Sequence, residues 1–240
     1  MNVLAIDTSG PVCGTAVMTE AGIRFACAVQ NKRTHSVNLM PMIDAALRTT
    51  GLTLRDMDRL ACTVGPGSFT GVRLGVSTLK GLAHGCGKPC VGVNALEALA
   101  AGAGSFPGLL CPIQDARAGQ VYGAAFRADP AGRLTRVMED RALKLEDYAD
   151  AIRALAGEEE AFLFVGDGMP VQRERLAELL GERAVFAAPD RAYLNPAAVA
   201  RLAAEAGPGA EVDYLALQPL YLRAPNAQRN RKLMEAAHVQ

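Results

Sequence analysis

NVLAIDTSGPVCGTAVMTEAGIRFACAV, residues 2–29, holds three apolar runs separated by two tight turns. NVLAID, VCGTAVM and IRFACAV carry the β-branched and small apolar residues of buried strands, and SGP and EAG are turn tripeptides. Connections this short join neighbouring strands antiparallel, so the segment reads as a three-strand meander. An apolar pattern with helical spacing follows over 36–50 and stops at Gly51. A strand at 59–64, a helix at 71–85, a strand at 90–93 and a helix at 94–103 complete the order βββαβαβα.

The stretch AGAGSFPG, 101–108, reads as a boundary, and after it the order starts again. LLCPIQDA, GQVYGAAF and RLTRVMED are three strands, with turns at 117–119 and 129–132. A helix at 145–156, the strand AFLFVGDG, a helix at 170–180, a weak strand at 183–187 and a helix at 195–206 follow. The tail LQPLYLRAP is extended and broken by prolines. Two successive βββαβαβα halves predict an α/β protein with the duplicated ribonuclease-H-like fold of actin, sugar kinases and Hsp70, the second lobe being smaller or degenerate. The lobes are expected at 1–104 and 105–210, with an extended tail at 211–240 returning to the first lobe. Such a fold does not fix a function. It directs attention to the hairpins that enter the two halves.

The 240 residues suffice for two small cores. Lys plus Arg and Asp plus Glu are both 25, so the net charge is zero. A chain that binds nucleic acid alone usually carries a basic footprint. Here the basic residues cluster only in the tail, at Arg223, Arg229, Arg231 and Lys232, which reads as a solvated end. No signal peptide is expected, and no apolar run approaches the roughly 20 residues of a membrane span. The cysteines sit mostly in apolar runs, where a thiol behaves as a small hydrophobe. A reduced, cytoplasmic chain is the expectation. His84, Cys86 and Cys90 lack a fourth ligand, so no metal is expected there.

Asp7-Thr8-Ser9 closes the first strand. An Asp followed by small hydroxyl residues in a turn can offer backbone N–H groups to a phosphate and a carboxylate to its metal ion. It can equally be a turn in which Asp7 bonds only backbone. Asp115-Ala116-Arg117 occupies the equivalent place in the second half. Gly166-Asp167-Gly168 ends a strand, where it can approach an adenosine or simply turn the chain. GPGSFTG, 65–71, leaves a strand and opens a helix. It is not a Walker A loop, because Gly71 is followed by Val72 and Arg73 and the next lysine is Lys80. Ser68 and Thr70 can cap the helix. Its positive end still attracts anions. No Gly-x-Ser-x-Gly elbow is present, and His35 is followed four residues later by Leu39, not by a second histidine.

LAIDTS at 4–9, HSVNLMP at 35–41, GPGSFTGVRLGVSTLKGLA at 65–83, VGVNALEALA at 91–100, DARAGQVYGA at 115–124, VGDG at 165–168, NPAAVARLA at 195–203 and PLYLR at 219–223 together resemble one family. It is TsaB (YeaZ), the bacterial tRNA threonylcarbamoyladenosine biosynthesis proteins, and the match runs over nearly the whole chain. The resemblance implies an actin-like fold and a non-catalytic subunit of the machinery that places threonylcarbamoyl on the adenosine beside the anticodon. It implies a TsaD-type catalytic partner, a TsaE-type ATPase, and contact with tRNA only through the complex. A homodimer is a candidate state of the chain alone. It implies no tightly bound cofactor, with ATP or ADP a candidate at the partner interface, and a vestigial phosphate hairpin at Asp7, Thr8 and Ser9. The related TsaD carries two metal-binding histidines on its first helix; here only His35 remains. An M22-type peptidase activity is therefore not expected. Ala118 and Val37 depart from the family pattern. A competing reading is a small-molecule kinase or ATPase of the same superfold, using Asp7 and Asp115 around magnesium–ATP.

On a helix over 71–85, Val72, Val76, Leu79 and Ala83 form the stripe expected to pack on the chain's own sheet. Gly71, Leu74, Gly75, Thr78, Leu82 and Gly85 form another, of mostly small residues. Leu39, Met40, Met42, Ile43, Ala46 and Leu47 span a wide apolar arc on the helix near 36–50, which Pro41 starts or kinks. These faces can pack on each other within the monomer. The family resemblance assigns them instead to the partner: Leu39, Met40, Met42, Ile43, Ala46, Leu47, Gly71, Leu74, Gly75, Thr78 and Leu82.

Overall fold

A computed structural model describes residues 1–223; Arg229, Arg231 and Lys232 of the basic tail lie outside the described residues. The first half comprises β1 (Val3–Asp7), β2 (Cys13–Thr19), β3 (Gly22–Val29), α1 (His35–Thr50), β4 (Arg59–Gly65), α2 (Phe69–Cys86), β5 (Cys90–Asn94) and α3 (Ala95–Ala103). The second repeats the order with β6 (Gly108–Asp115), β7 (Gln120–Ala128), β8 (Leu134–Lys144), α4 (Leu145–Leu155), β9 (Ala161–Val165), α5 (Gly168–Leu180), β10 (Ala184–Phe186) and α6 (Pro196–Glu205). A two-residue strand, β11 (Glu211–Val212), follows.

Two mixed sheets result, ordered β11-β5-β4-β1-β2-β3 and β10-β9-β6-β7-β8. In each, the meander is antiparallel and the later strands join parallel to the first strand of the half. The second sheet is the smaller, and β10 has only three residues.

Three apolar layers fill the space around the sheets. One face of the first sheet packs on α1 and α2, and one face of the second on α4 and α5. Between the sheets lies a shared core of α3 and α6. Helix α3, ALEALAAGA, is buried on nearly every side, and its alanines let both sheets come close. Helix α6 comes from the second half but packs mainly on β1, β2 and β4 of the first sheet, with α3 beside it. The chain therefore returns to the first lobe at Asn195, before the position 211 expected from sequence. Asn195 caps α6 by accepting from Ala197 N–H at 3.0 Å, and Pro196 stands at the first helical position, where no N–H is needed.

Pro41 neither starts nor ends α1: the helix begins at His35, more than a turn earlier, and runs through it. Residues 211–217 lie against the first lobe. Glu211 and Val212 pair with Val91 and Cys90, and Leu217 is buried in the first core.

Candidate functional site: the cleft between the lobes

The two entry hairpins face each other across a cleft of about 550 Å³ lined by both lobes and by Leu220–Arg223 of the tail. They are built alike at the start. Ser9 N–H donates to Asp7 Oδ1 at 3.0 Å, and Arg117 N–H donates to Asp115 Oδ1 at 2.8 Å. Each is an Asx turn that closes its strand.

The first hairpin is enclosed. Asp7, Thr8 and Ser9 are each only 1% exposed. Asp7 Oδ1 also accepts from Ser9 Oγ at 2.7 Å and from Thr63 Oγ1 at 2.5 Å. Burial raises the Asp7 carboxyl above the ordinary range, while Thr63 and Ser9 pull it back. Its Oδ2 has no hydrogen-bond partner among the described residues.

GPGSFTG is what encloses it. Gly65 adopts φ +113°, and a Cβ there would meet Leu220 O at 2.6 Å. Gly67 adopts φ +153° and lies against Ser9 O. The Ser68 N–H, which an anion would need, donates to Ser9 O at 2.7 Å. Ser68 Oγ caps α2 by accepting from Gly71 N–H. Thr8 Oγ1 donates to Gly71 O at 2.7 Å. A Cβ on Gly71 would overlap Thr8 O, and one on Gly75 would lie 2.5 Å from Thr8 Oγ1. The glycines seat the chain's own hairpin on α2, so the loop is a buttress whose Ser68 and Gly71 amides are spent inside the fold.

That geometry corrects the expected partner face. Gly71 and Gly75 are buried against Thr8, and Leu39, Met42, Ile43 and Ala46 are core residues of the first lobe. None of the six is available to a partner. Leu47, Leu74, Thr78 and Leu82 are half-buried. Met40 is 49% exposed, and Val37, one turn before it, is 53% exposed. His35 Nε2 donates to Gly10 O at 2.8 Å, which ties it to the first hairpin.

The second hairpin is open. Arg117, Ala118 and Gly119 all adopt positive φ, at 66°, 53° and 69°. The Arg117 side chain is exposed, with one contact of 3.3 Å to Asp115 Oδ2. Asp167, at the start of α5, lines the cleft beside this hairpin, and burial together with the Asp115 carboxylate lifts its carboxyl to about 6.

Two lining residues, Gln114 and Tyr221, escaped the reading of the sequence, and a third, Arg223, was read as part of a solvated end. Gln114 is 3% exposed, and its Oε1 lacks a partner among the described residues. It follows the apolar run LLCPI and stands next to Asp115 at the end of β6. Tyr221 stacks on Phe69 at 4.8 Å and accepts from Arg73 Nε at 2.8 Å. Arg223 Nη1 donates to Ala116 O at 2.9 Å, so the tail fastens to the second hairpin. Leu220 N–H donates to Val64 O at 2.7 Å on the first-lobe side. Among the described residues no group of three His, Cys, Asp or Glu is placed to hold a metal ion, and no helix is long and apolar enough to cross a membrane.

The family model for TsaD, tRNA N6-adenosine threonylcarbamoyltransferase, matches residues 29–230. The chain is 32% identical to the tRNA threonylcarbamoyladenosine biosynthesis protein TsaB of Bacillus subtilis, over 95% of this chain and 96% of that one. It is 34% identical to TsaB of Escherichia coli, over 93% and 95%. Among solved structures, YeaZ from Pseudomonas aeruginosa superposes with a TM-score of 0.73 at 25% identity, covering 92% of this chain and 99% of that one.

Proposed function

The chain belongs to the TsaB family of tRNA threonylcarbamoyladenosine biosynthesis proteins, and from that premise we propose that it is a non-catalytic cytoplasmic subunit that binds and activates a TsaD-type transferase. The observation that carries this reading is the outer face of α1 and α2. Val37 and Met40 are exposed on α1, and Leu47 of α1 and Leu74 and Leu82 of α2 are half-buried, while the glycines of α2 are used internally. An apolar surface on two packed helices suits a helical partner. A stable contact there buries on the order of 1,200–2,000 Å² in total.

The closed first hairpin supports the absence of independent kinase chemistry. A kinase of this fold needs the Asp7 carboxylate open to a metal–nucleotide, and Asp7 is buried with three donors on one oxygen. Leu39, packed in the core, supplies no metal ligand on α1. The TsaE-type ATPase and the tRNA join through the complex, and the interface with the partner is the candidate place for ATP or ADP.

Reconstitution tests this reading. The chain mixed with a TsaD-type subunit from the same cell should elute as one complex, and with the TsaE-type ATPase it should support threonylcarbamoyl transfer to tRNA. Leaving the chain out should abolish transfer. Modification by the chain alone, or full activity without it, contradicts the proposal.

A further inference from the structure

The two lobes are joined in more than one place. Helices α3 and α6 share the core between the sheets. Asn94 Nδ2 donates to Asp140, and Arg136 faces Glu97 at 3.6 Å. None of these four residues lines the cleft. At the cleft itself the tail joins the lobes. Residues 220–223 line it, with Leu220 bonded to Val64 of the first lobe and Arg223 to Ala116 of the second.

The two attachments differ in kind. On the first lobe the tail is held at several points. Leu217 is buried in the first core. Leu220 N–H donates to Val64 O at 2.7 Å, and Leu220 O lies 2.6 Å from where a Cβ on Gly65 would stand, so the missing side chain makes its seat. Tyr221 stacks on Phe69 at 4.8 Å and accepts from Arg73 Nε at 2.8 Å. Lys80 Nζ donates to Leu215 O at 3.3 Å, and the Tyr214 ring lies 4.8 Å from that of His84. An apolar anchor, a backbone bond and stacked rings must all give way together.

On the second lobe, among the described residues, a single hydrogen bond holds the tail: Arg223 Nη1 to Ala116 O at 2.9 Å. The second hairpin leaves that carbonyl unused. Ala116 N–H donates to Gln120 O and Gln120 N–H to Arg117 O, which closes the turn. The acceptor is a carbonyl, without the charge that makes arginine–carboxylate forks strong. One hydrogen bond exchanged for water contributes little net.

We propose that residues 213–223 are a latch: the first lobe holds them throughout, the second lets go at Arg223, and release lets the two entry hairpins separate about the shared core. The latch needs nothing but this chain and is independent of the role as a subunit.

Spin-label distance measurement on the full chain tests it. Labels carried by noncanonical residues replace Thr70 and Ala118, which are exposed and belong to different lobes, and leave the six cysteines untouched. The parent should give one narrow distribution. Arg223→Ala, with an unchanged circular dichroism spectrum, should widen it about twofold toward longer distances. Lys80→Ala should leave it as it was. Hydrogen exchange of the Leu220 amide is the second readout. Its rate should stay within about twofold of the parent in Arg223→Ala and rise about tenfold or more in Tyr221→Ala. An unchanged distribution in Arg223→Ala overturns the latch. So does a Leu220 amide freed by Arg223→Ala, because the tail would then leave both lobes together. Widening in Lys80→Ala also overturns it, since the releasable end would lie on the first lobe.

Discussion

The two entry hairpins begin with the same Asx turn and end in opposite states. Asp7-Thr8-Ser9 is sealed beneath the three-residue connection Pro66-Gly67-Ser68 and two glycines of α2, whereas Asp115-Ala116-Arg117 opens onto the cleft with its arginine exposed. The cause is the strand-to-helix connection after each lobe's parallel strand. The three-residue connection Pro66-Gly67-Ser68 folds back over Ser9, and Ser68 N–H reaches Ser9 O. The two-residue connection Gly166-Asp167 turns tightly against Ile113 and Gln114 and leaves the hairpin tip uncovered. A glycine-rich loop at a helix start therefore cannot be read as a phosphate cradle until its N–H groups are accounted for.

Paired glycine substitutions separate the hairpins most sharply. Gly71→Ala drives a Cβ into the Thr8 carbonyl, where only backbone can yield. It should cost about 3 kcal/mol or more, a fall of roughly 6–12 °C in Tm for a chain of this size. Gly119→Ala has open space around it and loses only conformational ease at φ +69°. It should cost about 1 kcal/mol. Equal losses in thermal unfolding would erase the distinction between a sealed and an open hairpin.

Asp167 gives the next largest effect, with the opposite sign. Its carboxyl is raised from 3.8 to about 6, so the folded chain holds the proton more tightly than the unfolded chain. Its contribution to stability is therefore greatest below about pH 4 and is lost as pH rises through about 6. Asp167→Asn removes the ionisation. It should match the parent at pH 4 and exceed it at pH 8 by about 2 kcal/mol. A variant less stable than the parent at pH 8 would show that the ionised carboxylate is already compensated in the free chain.

The meander and both βββαβαβα halves were legible because period-two apolar runs and Gly or Pro turns mark strands locally. Helix α6 was legible as a helix from Asn195-Pro196. The sheet it packs on was not, since a buried face carries no record of which surface buries it. The stripe Gly71, Gly75 correctly announced a close approach, but small residues do not say to what, and the answer was Thr8 within the same chain. Gln114 was missed because a polar residue at a strand end, next to Asp115, reads as the solvent-facing end of the strand, whereas it is buried. The contacts of Tyr221 and Arg223 join positions 148 and 107 residues apart in the chain, beyond any local pattern.

The account turns on which residues of α1 and α2 are spent inside the fold and which are left for a partner. Met40→Asp measures that directly. Met40 is half-exposed on α1, so the variant should keep the circular dichroism spectrum and Tm of the parent. An unpaired charge in the middle of an apolar contact should cost about 2 kcal/mol or more, roughly a thirtyfold rise in Kd for the TsaD-type subunit by sedimentation or calorimetry. A folded Met40→Asp chain that binds the TsaD-type subunit with unchanged Kd would contradict the account.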